Sequence, residues 1–313
     1  MARLRAPHVR GTLFCLVAGV AFSVSPVLIQ IAYAHGAAVT GLLAWRYLVS
    51  ALLLLTLAGR RIFAVPARAA VGAFALGAVV YALDSALFYG SLERISAPVA
   101  SLVHYAHLML IVGVAAIIGR ERLTGRRVLA LAGIFGGVAL VGGAATNPDL
   151  VGVGMALGSA AAYAAYVIFA DRLLRDADPL ALTAYLTFGA TATFFVAAGV
   201  VGSLGAVGGP TGMACLVLAA LVGSVFAAVV FLEGVRLVGP STASLLVTIE
   251  VPVTITLAAV VLGQHLAPPQ LAGAGLVVAA IVAMQLRRRP KLRLVEQPPP
   301  VPLTLESSEQ RAA

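Results

Sequence analysis

The feature that most limits this chain is a succession of apolar blocks, each close to the length that crosses a bilayer. A helix of about 20 residues spans the hydrocarbon core. Blocks of that kind fall at 11–31, 37–58, 69–90, 98–118, 128–145, 151–170, 180–203, 211–232, 240–262 and 269–286, with short connections between them. Their continuous Leu, Ala, Val and Gly runs fit helices, whereas a barrel needs alternating segments of about ten residues. Helices satisfy their own backbone groups inside lipid. Composition points the same way: of 313 residues, 61% are hydrophobic and 11% charged, and a soluble surface needs roughly a quarter charged. A soluble fold, a disordered chain and a coiled coil are excluded. The expected fold is an all-α polytopic membrane protein with ten transmembrane helices.

Charge placement sets the expected orientation. Arg and Lys concentrate in cytoplasmic loops. With residues 1–10 as a cytoplasmic N-terminus and ten spans, all of the 21 basic residues except Arg46 and Arg94 fall inside. Both termini are therefore expected in the cytoplasm of a bacterium, with the chain in its inner membrane. The net charge of +9 reads as orientation. The arginines are spread over every inner loop, so no nucleic-acid partner is expected. Residues 11–31 read as the first span, because no small-x-small cleavage site precedes a soluble domain and nine more spans follow. Cys15 and Cys215 read as buried small hydrophobes. Residues 287–313 carry Arg287, Arg288, Arg289 and Lys291 and then Pro298, Pro299, Pro300 and Pro302. They read as a disordered tail held near anionic lipid.

The two halves resemble each other. Pro98-Val99-Ala100-Ser101-Leu102 opens the fourth span and Gly239-Pro240-Ser241-Thr242-Ala243-Ser244-Leu245 the ninth, with Ser101 and Leu102 matching Ser244 and Leu245 at a shift of 143. At that shift Arg120-Glu121-Arg122-Leu123 matches Gly263-Gln264-His265-Leu266. Five spans is an odd number, so a second copy must be inverted relative to the first. The expected domains are two inverted five-helix repeats, 11–145 and 151–286. Inverted repeats are a common plan for carriers that expose one site to alternate sides. Gly133 and Gly137, and Gly154 and Gly158, offer small faces for close helix approach. Pro26 and Pro252 fall inside spans one and nine, where each removes a helical hydrogen bond and serves as a hinge or a static bend.

Ionisable groups in hydrocarbon are expensive and should face the bundle interior. Arg46, Asp84, His104, His107 and Glu250 are the ones that stand out. By their rise along the helix, Asp84 and His104 lie about 9 Å from the outer end, Arg46 and His107 about 13 Å, and Glu250 near the midplane. His104 and His107 share a helical face, as do Tyr81 and Asp84. These residues are candidates for substrate binding or proton coupling, since histidine titrates near neutral pH. Arg46 either pairs with Asp84 or Glu250 or holds a substrate carboxylate. Trp45, Tyr105 and Tyr163 add flat surfaces for a small organic ligand. No concentrated metal-ligand motif is present, so no metal is expected. The sequence has no G-x-x-x-x-G-K-[ST] loop, so direct ATP energy is not expected; no cofactor is expected.

With these residues in view, the chain resembles the EamA-like transporters of the drug/metabolite transporter superfamily over about 11–286. Glu250-Val251-Pro252 matches a Glu–Pro-like element midway through the ninth span of such proteins. Gly263-Gln264-His265-Leu266 and Arg120-Glu121-Arg122-Leu123 match a Gly-Glu-x-Leu closure, with Gln264 departing from the acid. The resemblance implies a secondary transporter, exporting or exchanging small metabolites such as amino acids or drug-like compounds, with protons as one coupling option. Glu121, near the inner end of span four among arginines, reads as a gate or a loop salt-bridge residue, and Gln264 as a gate residue. The competing readings are a membrane-embedded enzyme acting on a lipid or isoprenoid, for which the loops are short, and a channel or passive scaffold. A catalytic activity is not expected. The sequence leaves both a monomer and a homodimer open.

Overall fold

The computed structural model describes residues 2–117, 125–143, 149–173 and 178–285. They form an all-helical bundle of ten rods. The first half comprises α1 (Ala2–Ala34), α2 (Val39–Ala58), α3 (Ala67–Leu76) continued by α4 (Ala82–Ser91), α5 (Ala97–His104) followed by α6 (Ala106–Ile117), and α7 (Gly125–Gly143). The second comprises α8 (Leu150–Leu173), α9 (Pro179–Val201), α10 (Gly209–Ala220) continued by α11 (Ala227–Val238), α12 (Pro240–Val247) followed by α13 (Glu250–Leu262), and α14 (Pro268–Gln285). Among the described residues six rods are long and apolar enough to cross a membrane: Val9–Ala34, Val39–Ala64, Ala67–Ser91, Leu150–Ala170, Pro179–Val201 and Gly209–Val238. The remaining apolar helices, Ala97–Ile111, Val128–Val141, Glu250–Leu262 and Pro268–Ala283, are shorter. The expectation of ten full-length spans is thus met by ten helices and six long spans. Glu121 and the tail 287–313 lie outside the described residues.

The packing is reciprocal between the halves. α2 packs along α9, and α7 along α14. α1 lies against α10 and α11 and against α12 and α13, while α8 lies against α3 and α4 and against α5 and α6. Small residues permit the closest of these approaches. A Cβ on Gly137 would meet the Gly273 carbonyl at 2.7 Å, and one on Gly273 would meet the Gly137 carbonyl at 2.7 Å. Gly133 faces Ala280 and Gly158 faces Leu87, whereas nothing lies near a Cβ at Gly154. The expected small-residue faces are therefore used at the first glycine pair and only partly at the second.

Four irregularities interrupt the rods, and they fall in matching places. The third rod widens into a π turn at Gly77–Tyr81, and the eighth at Leu221–Phe226. Such turns are common at functional sites. A wide turn leaves carbonyls without their usual helical partner. The Thr193 hydroxyl from α9 donates to the Ala78 carbonyl at 2.6 Å, and the Ser224 hydroxyl to the Ala219 carbonyl at 3.2 Å. The fourth rod breaks at Tyr105 and the ninth at 248–249.

The two breaks have different chemical causes. A proline ring clashes with the carbonyl four residues before it, and Pro252 lies four residues after Thr248, where the ninth rod breaks. The proline then sits in the first turn of α13, where its missing N–H costs nothing. In the fourth rod the His107 ring takes the His104 carbonyl at 2.7 Å, and the Leu108 amide turns to Tyr105 at 3.1 Å instead. The carbonyl only accepts, so His107 Nδ1 carries the proton. A His107→Leu variant is expected to let α5 and α6 join, which hydrogen exchange at the Leu108 amide would report as added protection. Pro26 behaves otherwise: α1 is helical through it.

Candidate functional site

The polar residues of the spans converge on the wide turns and breaks. Arg46 on α2 is only 4% exposed. Its Nη2 donates to Ser224 Oγ, in the second wide turn, at 2.8 Å. Its guanidinium carbon lies 5.2 Å from the Tyr47 ring centre and 4.5 Å from that of Tyr89. Such cation–π contacts fix the plane of a guanidinium and offset part of its desolvation. Arg46 makes no ion pair with any described carboxylate. Of the two sequence-based options, pairing with Asp84 or Glu250 is therefore not the one adopted.

Asp84 is buried on α4, one turn beyond Tyr81. Its Oδ1 lies 4.0 Å from His104 Nδ1 and accepts no hydrogen bond. His104 Nδ1 is 2.8 Å from Ser159 Oγ on α8, and Ser159 passes its own proton to the Ala156 carbonyl at 2.9 Å. With that hydroxyl proton committed, the imidazole is the donor to Ser159. Glu250 opens α13 directly after the break, and its Oε2 accepts from the Tyr105 phenol, itself at the other break, at 3.2 Å. Thus the fourth and ninth rods meet through their interruptions.

Aromatic rings connect these polar groups. Tyr47 stands 5.8 Å from Tyr81, Tyr81 5.4 Å from Tyr166, Tyr166 5.6 Å from Tyr163, and Tyr163 5.3 Å from His104. His104 is 5.1 Å from Phe88, and Phe88 5.1 Å from Tyr89, which returns the path to Arg46. His107 lies 5.0 Å from His104 and 5.6 Å from Tyr105, the partner of Glu250. The Tyr47 phenol bonds Ser85, beside Asp84, at 2.5 Å. Arg46, Tyr81, Asp84, His104, His107 and Glu250 thereby belong to one continuous network drawn from both halves. Trp45 does not join it. Its indole donates to the Leu204 carbonyl at 2.9 Å and packs on Phe195. Among the described residues no group of three or more metal-ligand side chains is assembled.

Sequence reasoning missed Tyr47, Tyr89, Tyr166 and Ser224. It also missed Gln30, the partner of Gln264. Gln30 Nε2 donates to the carbonyls of Leu92 at 2.9 Å and Ile95 at 3.0 Å. Gln264 Nε2 donates to Gln30 Oε1 at 2.9 Å, and Gln264 Oε1 accepts from the Ala97 amide at 3.2 Å. This amide cluster ties α1, the start of α5 and the end of the ninth rod at one end of the bundle. The same end carries the Ala37–Val207 bridge, a Thr40–Ser203 hydroxyl contact of 2.7 Å and the Arg94–Asp149 pair at 3.2 Å. The Gly152 amide, foremost, and Arg94 hold the Asp149 carboxyl below the usual carboxylate range. The opposite end is joined by Arg61 and Asp178 at 3.7 Å and by the Tyr185 phenol on the Ile62 carbonyl at 3.2 Å.

These features define an all-helical, multi-pass membrane protein with a buried polar and aromatic network. The EamA-like transporter family model matches the chain twice, over residues 9–143 and 150–286. The chain belongs to that family, which groups it with transporters rather than enzymes. No curated protein matches the sequence. Among solved structures, one described simply as the crystal structure of a protein is 18% identical, with a TM-score of 0.62. The match covers 88% of this chain and 96% of that one. At that identity the likeness is one of fold.

Proposed function

We propose that this protein is a secondary transporter of small organic metabolites, exporting or exchanging them by alternating access across a bacterial inner membrane. The two halves, 11–145 and 151–286, act as inverted repeats that rock about a substrate site at Arg46, Tyr81, Asp84, His104, His107 and Glu250. One observation carries this reading: the ionisable residues within the spans of both halves, buried or half-buried, join in one network at the four places where the rods are irregular. Irregular backbone at membrane depth is tolerated where it is covered by protein or lines a wet path, and carriers place their sites there. The exchange of partners between the halves supports the inverted relation. Protons are the coupling ion, with Asp84 and Glu250 as their carriers.

The test is flux in proteoliposomes against a panel of amino acids, purines, sugars and drug-like amines, with and without an imposed pH gradient. A saturable flux of at least one class that responds to the gradient is expected. A flux indifferent to the gradient would remove the proton coupling. The arginine distribution supports an orientation with both termini in the cytoplasm, and in that orientation the Gln30–Gln264 cluster is a latch on the outer face. Gln264→Ala removes two hydrogen bonds from that latch, together about 2 kcal/mol. A reporter at Ile95→Cys should then react several-fold faster with a membrane-impermeant maleimide. An unchanged labelling rate would count against the latch.

A further inference from the structure

The network leaves idle donors on one face of α2. Arg46 is 4% and Ser50 2% exposed, and they are four residues apart, one helical turn along the same face. Arg46 Nη2 is committed to Ser224, but Nε and Nη1 have no hydrogen bond of ordinary geometry beyond a loose approach to the Tyr89 phenol, and Ser50 Oγ has no partner at all. Buried donors in folded proteins are nearly always paired. A guanidinium keeps its charge under all ordinary conditions, so it cannot escape the cost by losing a proton. Tyr47 and Tyr89 offset only part of that charge, and no described carboxylate completes it.

We propose that Arg46 and Ser50 form the anion half of the substrate site and take the carboxylate of a monoanionic or zwitterionic metabolite. The assignment of this anion as cargo rests on the transporter reading. A planar carboxylate matches the donor fork of a guanidinium. One arginine and one hydroxyl suit a single negative charge. A phosphate ester would call for further cations, and the other arginines named in the candidate site, Arg61 and Arg94, sit at the ends of the bundle rather than beside Arg46. The Ser224 bond and the two tyrosine rings act as positioning groups that hold the guanidinium plane, so substrate binding need not organise it.

The chain's single tryptophan, Trp45, is next to Arg46 in sequence and gives a local optical readout. Full-length protein in phosphatidylcholine nanodiscs is titrated with acetate and benzoate, with their uncharged amides acetamide and benzamide, and with chloride, at ionic strength fixed by sodium sulfate. Trp45 emission and Tm are followed. At least one carboxylate should give a saturable change, with its amide at least tenfold weaker. Ser50→Ala should weaken binding about tenfold and Arg46→Gln about a hundredfold, while Arg46→Lys should retain a weakened response. Ser50→Ala removes a single oxygen and keeps the test open if the arginine variants fail to fold. Equal response to acid and amide, no response to either carboxylate, saturation by chloride alone, or carboxylate binding unchanged in both Ser50→Ala and Arg46→Gln would each overturn the proposal. Binding here is read without a gradient. A protein that binds carboxylates but moves no solute in proteoliposomes keeps this subsite and loses the carrier reading. One that moves solutes equally well with Arg46→Gln keeps the carrier and loses the subsite.

Discussion

The double variant Asp84→Asn, Glu250→Gln should lose substrate flux by a hundredfold or more while the protein still folds. Both substitutions keep size and shape and remove the two acidic groups of the network, one buried and one half-buried. Asp84 Oδ1 accepts no hydrogen bond, so its amide replacement breaks none at that atom. Glu250→Gln keeps a carbonyl oxygen for the Tyr105 phenol, from which Glu250 Oε2 now accepts at 3.2 Å. A charged side chain inside the bilayer is costly, up to about 2.5–3.5 kcal/mol at its centre on insertion scales, so neutralising Glu250 near the midplane and Asp84 nearer the outer end should leave Tm unchanged or raise it. Loss of flux with an intact Tm assigns the carboxylates to transport. Loss of both would make them structural.

The second large effect concerns the seam that seats Tyr81. A Cβ on Gly77 would run into the Leu186 backbone, and one on Gly189 into the Phe74 carbonyl, with the Ala78 amide nitrogen at 2.7 Å. Here backbone meets backbone, so no side chain can swing aside. Gly189→Val should therefore part α9 from the first wide turn at a cost of about 3 kcal/mol or more. It should also break the Thr193 bond to the Ala78 carbonyl that sustains that turn. Thr193→Val isolates the smaller share, about 1–2 kcal/mol for one buried carbonyl left without its partner. Thermal unfolding in detergent would read both. A Gly189→Val protein with wild-type Tm would show that the seam is looser than described.

The sequence announces some parts of this arrangement and hides others for physical reasons. Ten apolar blocks are legible because lipid allows so few chain solutions. Arg46, Asp84 and Glu250 are legible because a lone charge in an apolar run is costly enough to demand an explanation. Tyr47, Tyr89, Tyr166 and Ser224 are silent, since tyrosine and serine fill ordinary cores and bond locally without cost. Pro252 signals the break in the ninth rod, because its ring acts on the carbonyl four residues back. The matching break at Tyr105 carries no such mark: a histidine side chain makes it, and histidine also sits comfortably in intact helices. Pro26 shows the converse, a proline that α1 absorbs. A motif points to Gln264, but Gln30, its partner, lies in the first span with no motif of its own.

The buried network belongs to a carrier only if it moves a solute between the two faces. Counterflow tests this most directly. Proteoliposomes are loaded with an excess of each unlabelled candidate, diluted, and followed for uptake of the labelled compound. A carrier predicts transient accumulation that saturates with concentration and is absent in the Asp84→Asn, Glu250→Gln protein. Linear, non-saturable entry without accumulation, or equal accumulation by the double variant, would contradict it.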